Sequence, residues 1–152
     1  MDEFRRRLSD PELIELYDHW CALKGGRPMP SRKDLDPVHV PRHLASMMLI
    51  DVLRDPLRFR YRLVGTRVVE ASGEDRTGRF FDEFEFFSVN PIVMEQYRTT
   101  VEMRQPLYSL EPFTNCIKQT SYEVERLLLP LATDGERVDM VLVYFHFKTG
   151  WF

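Results

Sequence analysis

Residues 47–65 read MMLIDVLRDPLRFRYRLVG, two strand-like runs, Met47 to Leu53 and Leu57 to Gly65, on either side of Arg54-Asp55-Pro56. Proline cannot donate to a ladder and biases the residue before it away from the helical region, so the chain reverses there. The second run alternates: Phe59, Tyr61 and Leu63 share one face, Arg58, Arg60 and Arg62 the other. The stretch is a hairpin with one apolar and one charged face.

Downstream, Thr66 to Ser72 reads as a short helical turn between Gly65 and Gly73, followed by the aromatic cluster Phe80, Phe81, Phe84, Phe86 and Phe87. A helix is predicted from Ser88, as N-cap, to about Arg104, with Val93, Tyr97 and Val101 on one stripe and Met94 beside it. Three further strands are predicted at Leu107 to Phe113, Tyr122 to Ala132 and Arg137 to Phe147. The last two are joined by Thr133-Asp134-Gly135-Glu136, a hairpin signal.

Upstream, Ser9 with Glu12 forms a capping-box pattern and Pro11 suits a first helical turn. Leu13, Leu16, Tyr17, Trp20 and Leu23 then recur at helical spacing until Gly25-Gly26. Pro28 and Pro30 mark an extended loop, and Asp36 is placed to cap a short helix opened by Pro37.

This order implies an α+β fold: a five-stranded antiparallel sheet, its halves joined by a helical crossover on one face that encloses a pocket. The N-terminal amphipathic helix would cover the opposite face, in cis or from a second subunit. Residues 1–26 are read as a helical extension and 27–152 as the domain proper.

Composition narrows the function classes. Eleven Phe, six Tyr and two Trp in 152 residues supply a core without a disulfide or metal staple, and exclude disorder. Cys21 and Cys116 form no CxxC pair. The apolar runs are too short to cross a bilayer and Met1 to Leu8 has no signal-peptide core, so a cytoplasmic protein without membrane attachment is expected. With a formal charge of −3 and no basic stripe, nucleic acid is not expected as a partner; Arg5, Arg6 and Arg7 alone would support only salt-dependent binding.

No phosphate loop, nucleophile elbow or zincin motif is present. His39 and His43 stand four apart but lack further ligands, so no metal site is expected; His146 is read as a partly buried imidazole hydrogen-bonded to a neighbour. Glu123 and Glu125 share a strand face and are expected to point to solvent.

The chain carries Gly25-Gly26-Arg27 with Met29-Pro30-Ser31-Arg32, Asp34, Asp36 and Pro37; Phe59 through Thr66; Gly73 with Asp75, Thr77 and Gly78; Leu128-Leu129-Pro130-Leu131; and Asp134-Gly135 with Val138-Asp139-Met140. Together these phrases resemble short, single-PAS-domain proteins common in alphaproteobacteria. The resemblance implies a PAS fold, sensing or protein interaction, and no output module within the chain; the apolar stripe of the N-terminal helix adds the expectation of a homodimer and of a signalling partner. It argues against two cofactors used by that fold. Flavin photosensors carry a reactive cysteine before the long helix, where Arg79 to Phe87 has none; haem sensors carry a histidine on that helix, where Ser88 to Arg104 has none.

What remains is a pocket for a small organic ligand, lined by Tyr61 and Leu63 or their neighbours, with Phe84, Val93, Met94, Tyr97, Tyr108 and Met140; the alternative is a filled core. Arg62 is a further candidate, since a guanidinium in a cavity pairs with a ligand carboxylate. Alternation prevents it from sharing a face with Tyr61, and outside the pocket it would tie the sheet to Asp34 or Asp36. Leu13, Leu16, Tyr17 and Trp20 are the expected packing or dimer surface. The competing function class is a small α+β pocket enzyme, isomerase-like, working through a buried acid.

Overall fold

The computed structural model describes residues 2–36, 39–115 and 120–148. The expected helix start at Pro37 and the second cysteine, Cys116, lie outside these residues.

Five antiparallel strands, β1 (Met47–Leu53), β2 (Arg58–Val64), β3 (Leu107–Asn115), β4 (Thr120–Leu131) and β5 (Met140–Phe147), form one sheet in the order β2-β1-β5-β4-β3. The last strand therefore inserts between the two halves. The crossover consists of α3 (Thr66–Ser72), a 3-10 turn at Phe81–Glu83, α4 (Phe86–Val89) and α5 (Pro91–Met103). At the N-terminus lie α1 (Glu3–Arg6) and α2 (Pro11–Lys24).

Helix α2 covers the second sheet face in cis. Leu13, Leu16, Tyr17 and Trp20 are all buried in the same hydrophobic cluster as the strands, and Trp20 Nε1 donates to the carbonyl of Pro130 at 3.0 Å. The apolar stripe of α2 is thus used within its own chain, and a second copy would have to dock elsewhere. Because helices cover both faces, β4 and β5 are buried on both sides, like an inner layer.

Three boundaries differ from the sequence expectation. Asp10, not Ser9, caps α2, its Oδ1 accepting from the amides of Glu12 at 2.9 Å and Leu13 at 3.3 Å. The long helix begins at Pro91, because proline disfavours helical geometry at Asn90, which sits at φ −128°, ψ 65°. Strand β5 begins at Met140, since the Asp134 carboxylate captures the amides of Glu136 and Arg137 and holds them in the turn.

The β1–β2 register slips between Leu49 and Ile50: Leu49 pairs with Leu63, but Ile50 pairs with Tyr61. Arg62 is the extra residue of a bulge, which reverses the phase of β2 beyond Tyr61. Leu63 consequently turns outward, at 40% exposure, and Val64 turns in.

Candidate functional site

Between one sheet face and the crossover lies a cavity of about 650 Å³. Its floor is Met48, Val64, Arg126 and Phe145 from the strands; α3 contributes Val68 and Ala71, the segment before α5 contributes Phe84, Phe86 and Phe87, and α5 contributes Val93 and Tyr97. Packed rings stiffen these walls. Phe81 stacks on Phe87 at 4.3 Å between centroids, and meets Tyr61 at 4.7 Å and Tyr97 at 4.9 Å. Such contacts favour a fixed shape over a collapsible one.

Two guanidinium groups face this aromatic enclosure. Arg76, near the mouth, lies 4.4 Å over the Phe84 ring, donates to the Tyr61 hydroxyl at 3.4 Å and pairs with Glu74 at 3.2 Å. Arg126 is at the floor, 1% exposed. Its Nη2 donates to Gln96 Oε1, and Gln96 Nε2 donates onward to Glu111 at 3.1 Å. Burial pushes the Arg126 pKa down, opposed by Tyr97 and Glu111, but a guanidinium keeps its proton. Burial likewise raises the Tyr61 and Tyr97 phenols, which remain neutral hydrogen-bonding groups.

Of the residues expected to bind ligand, Tyr61, Phe84 and Tyr97 line this cavity, as does Val93. Met94 is beside it on α5 but packs against the core. Tyr108 and Met140 are corrections: they pair with Leu127 and with Asp51 and Leu131, residues of the face under α2, and directly paired residues share a face. Alternation within each strand was legible, but not which phase faces which layer. Arg62 is also outside the cavity. It pairs with Asp51 at 3.2 Å, beside Arg60 at 3.0 Å, and not with Asp34, whose carboxylate is held by Arg27 at 2.9 Å.

Arg126, Arg76 and Phe145 were missed. A signal for Arg126 existed: it falls in phase with Val124 and Leu128 in a strand apolar on both sides. Glu125 is a further correction, being 4% exposed under the N-terminal segment instead of in solvent. His43 is buried too, its Nε2 donating to the Glu12 carbonyl at 3.2 Å and its ring meeting the Tyr144 ring at 5.1 Å, whereas His39 is exposed.

The buried carboxylates among the described residues, Asp51 and Glu125, both belong to the α2 side of the sheet, so neither serves the cavity as a general acid or base. Among the described residues no cysteine lines the cavity: residues 81–89 carry none, and Cys21 is on α2 across the sheet. None of the described histidines lines the cavity for haem ligation.

Solved structures of the same fold include a Rhodobacter sphaeroides LOV protein, with a TM-score of 0.54, 11% identity, and coverage of 76% of this chain and 70% of that one. A fungal LOV domain photoreceptor gives 0.51 and 14%, with 78% and 95% covered. An RNA-binding light-oxygen-voltage receptor gives 0.55 and 15%, with 76% of this chain covered but only 33% of the receptor. These likenesses concern the fold alone. No curated protein sequence matches. No helix among the described residues is long and apolar enough to cross a membrane. A family model described as PAS domain matches residues 8–144, nearly the whole chain, so the protein belongs to the PAS domain family.

Proposed function

We propose that this PAS domain is a cytoplasmic, non-catalytic sensor whose cavity takes a small apolar organic acid and reports its presence to a signalling partner through α2. The observation that carries this reading is Arg126, a buried guanidinium on the floor of an aromatic cavity. Apolar walls with few convergent polar groups suit a small organic ligand, and a guanidinium selects a carboxylate. The aromatic rings supply the affinity and the charge supplies the choice.

Strand β4 supplies the route outward. Arg126 faces the cavity while its neighbours Glu125 and Leu127 face the α2 layer, so a shift of the strand at Arg126 is felt on both sides. The isomerase-like alternative has less support, because the buried acids stand on the wrong face.

Thermal-shift screening with phenylacetate, cinnamate, 2-naphthoate and decanoate, each against its primary amide, tests the reading. Stabilisation by acids and not amides supports it. No shift with any acid, with native mass spectrometry showing protein of ligand-free mass, overturns it.

A further inference from the structure

On the opposite side of the sheet, three ligating side chains from three elements converge. Asp10 is the N-cap of α2, and Glu125 of β4 and His146 of β5 are cross-strand partners. His146 Nε2 stands 3.1 Å from Asp10 Oδ2 and 4.0 Å from Glu125 Oε2. One ligand atom from each of the three residues lies within 4.8 Å of the others.

We propose that Asp10, Glu125 and His146 form a divalent transition-metal site that fastens the start of α2 to β4 and β5. Four-coordinate ions with bonds of about 2.0–2.1 Å hold their ligand atoms roughly 3.3 Å apart. The two separations bracket that spacing, so small side-chain rotations close the set.

Each carboxylate is anchored by one oxygen and turns the other toward the imidazole. Asp10 Oδ1 accepts from the amides of Glu12 and Leu13, while Oδ2 faces His146. Glu125 Oε1 accepts the Tyr108 hydroxyl at 2.6 Å, while Oε2 faces His146. Partners of this kind orient ligands in metal centres. Glu125 is nearly buried, with side-chain exposure of 5%, and a carboxylate so placed needs positive charge nearby.

Access is open on one side. A cleft of about 200 Å³ reaches His146, lined also by Glu12, Ser46 and Arg67. Two carboxylates and a neutral imidazole sum to the charge that a divalent ion neutralises, even with Arg67 at the cleft. A mixed nitrogen and oxygen set suits zinc or manganese better than magnesium or calcium. The sequence reading assigned His146 only a hydrogen-bonding neighbour, because residues 10, 125 and 146 are brought together by tertiary packing alone.

The test uses the full chain, stripped of metal by chelator and titrated with zinc chloride near neutral pH by calorimetry, with melting followed in parallel. One equivalent of zinc is expected, with a raised Tm. Affinity should fall at least ~10-fold in Asp10→Asn, Glu125→Gln and His146→Gln. The first two variants keep the helix cap and the acceptor for Tyr108, so folding is preserved; circular dichroism verifies this. His39→Gln, a surface histidine, should bind as the unmodified chain does. Should a ligand variant fail to fold, cobalt loaded into the unmodified protein supplies the second readout, a visible absorption band of a nitrogen- and oxygen-bound ion. No zinc uptake, no cobalt band, or uptake unchanged in all three variants would overturn the assignment.

Discussion

The guanidinium carbon of Arg126 stands 5.9 Å from the centroid of the Tyr97 ring, so a charge on the sheet is seated on an aromatic face supplied by the opposite wall. Both side chains are at most 2% exposed. This contact joins β4 to α5 and gives the cavity a polar floor under apolar walls. A cation over a ring is attracted by the ring quadrupole, more strongly when water is excluded. The site is therefore organised before any ligand arrives.

Arg62 belongs to the surface, with 59% of its side chain exposed and Asp51 as its partner. Arg62→Ala should cost no more than about 1 kcal/mol, since Arg60 still holds the buried Asp51 carboxylate. It should also leave acid binding unchanged. Chemical denaturation and calorimetry measure both, and a large loss of ligand affinity would contradict the placement of Arg62 outside the cavity.

Gly65 permits a close backbone approach. Its amide donates to the Met47 carbonyl at 2.8 Å, and a Cβ there would run into the carbonyl oxygens of Leu44 and Ala45. Backbone atoms cannot swing aside, so Gly65→Ala should cost about 3 kcal/mol. Gly26→Ala meets no neighbouring atom and should stay within about 0.5 kcal/mol in the same urea titration.

Trp20 fastens α2 to the sheet through ring burial and its bond to the Pro130 carbonyl. Trp20→Ala should cost about 3–5 kcal/mol. Light scattering of the same variant should show association, since the sheet face under α2 becomes exposed.

His19 contributes to the loss of stability at mildly acidic pH. Burial, followed by the nearby His39 and His43, pushes its pKa below the ordinary 6.5. Between the folded value and 6.5 the unfolded chain binds more protons, so stability contributed by neutral His19 is complete above 6.5 and declines as pH falls below it. His19→Gln should flatten that decline when unfolding free energies are compared across mildly acidic pH.

How much of this was legible in the sequence differs from element to element. Strand β1 and helix α3 coincide with their predicted bounds, because turn residues and glycines punctuate them on both sides. The amphipathic stripe of α2 identified its buried face, but only packing shows that the partner is its own sheet. The site was half legible. Tyr61, Phe84 and Tyr97 were found through aromatic spacing, whereas Tyr108 and Met140 were misplaced because a sheet buried on both faces offers no polar side to fix the phase. Leu63 was misplaced because a one-residue bulge leaves no mark in an alternating run. Arg126 was passed over because, next to Glu123 and Glu125, it reads as part of a charged strand end until the packing on both faces is known.

The central claim is that Arg126 makes the cavity selective for an organic acid. Calorimetric titration of the unmodified chain and of Arg126→Met with 2-naphthoate and 2-naphthamide tests it most directly. Replacing Arg126 alone leaves its Gln96 acceptor without that donor and should cost about 1–3 kcal/mol, so circular dichroism verifies that the variant folds. The unmodified chain should prefer the acid to the amide by at least ~10-fold, and Arg126→Met should lose that preference while still folding. Equal affinity for acid and amide in the unmodified chain, or a preference that survives the substitution, would contradict the account.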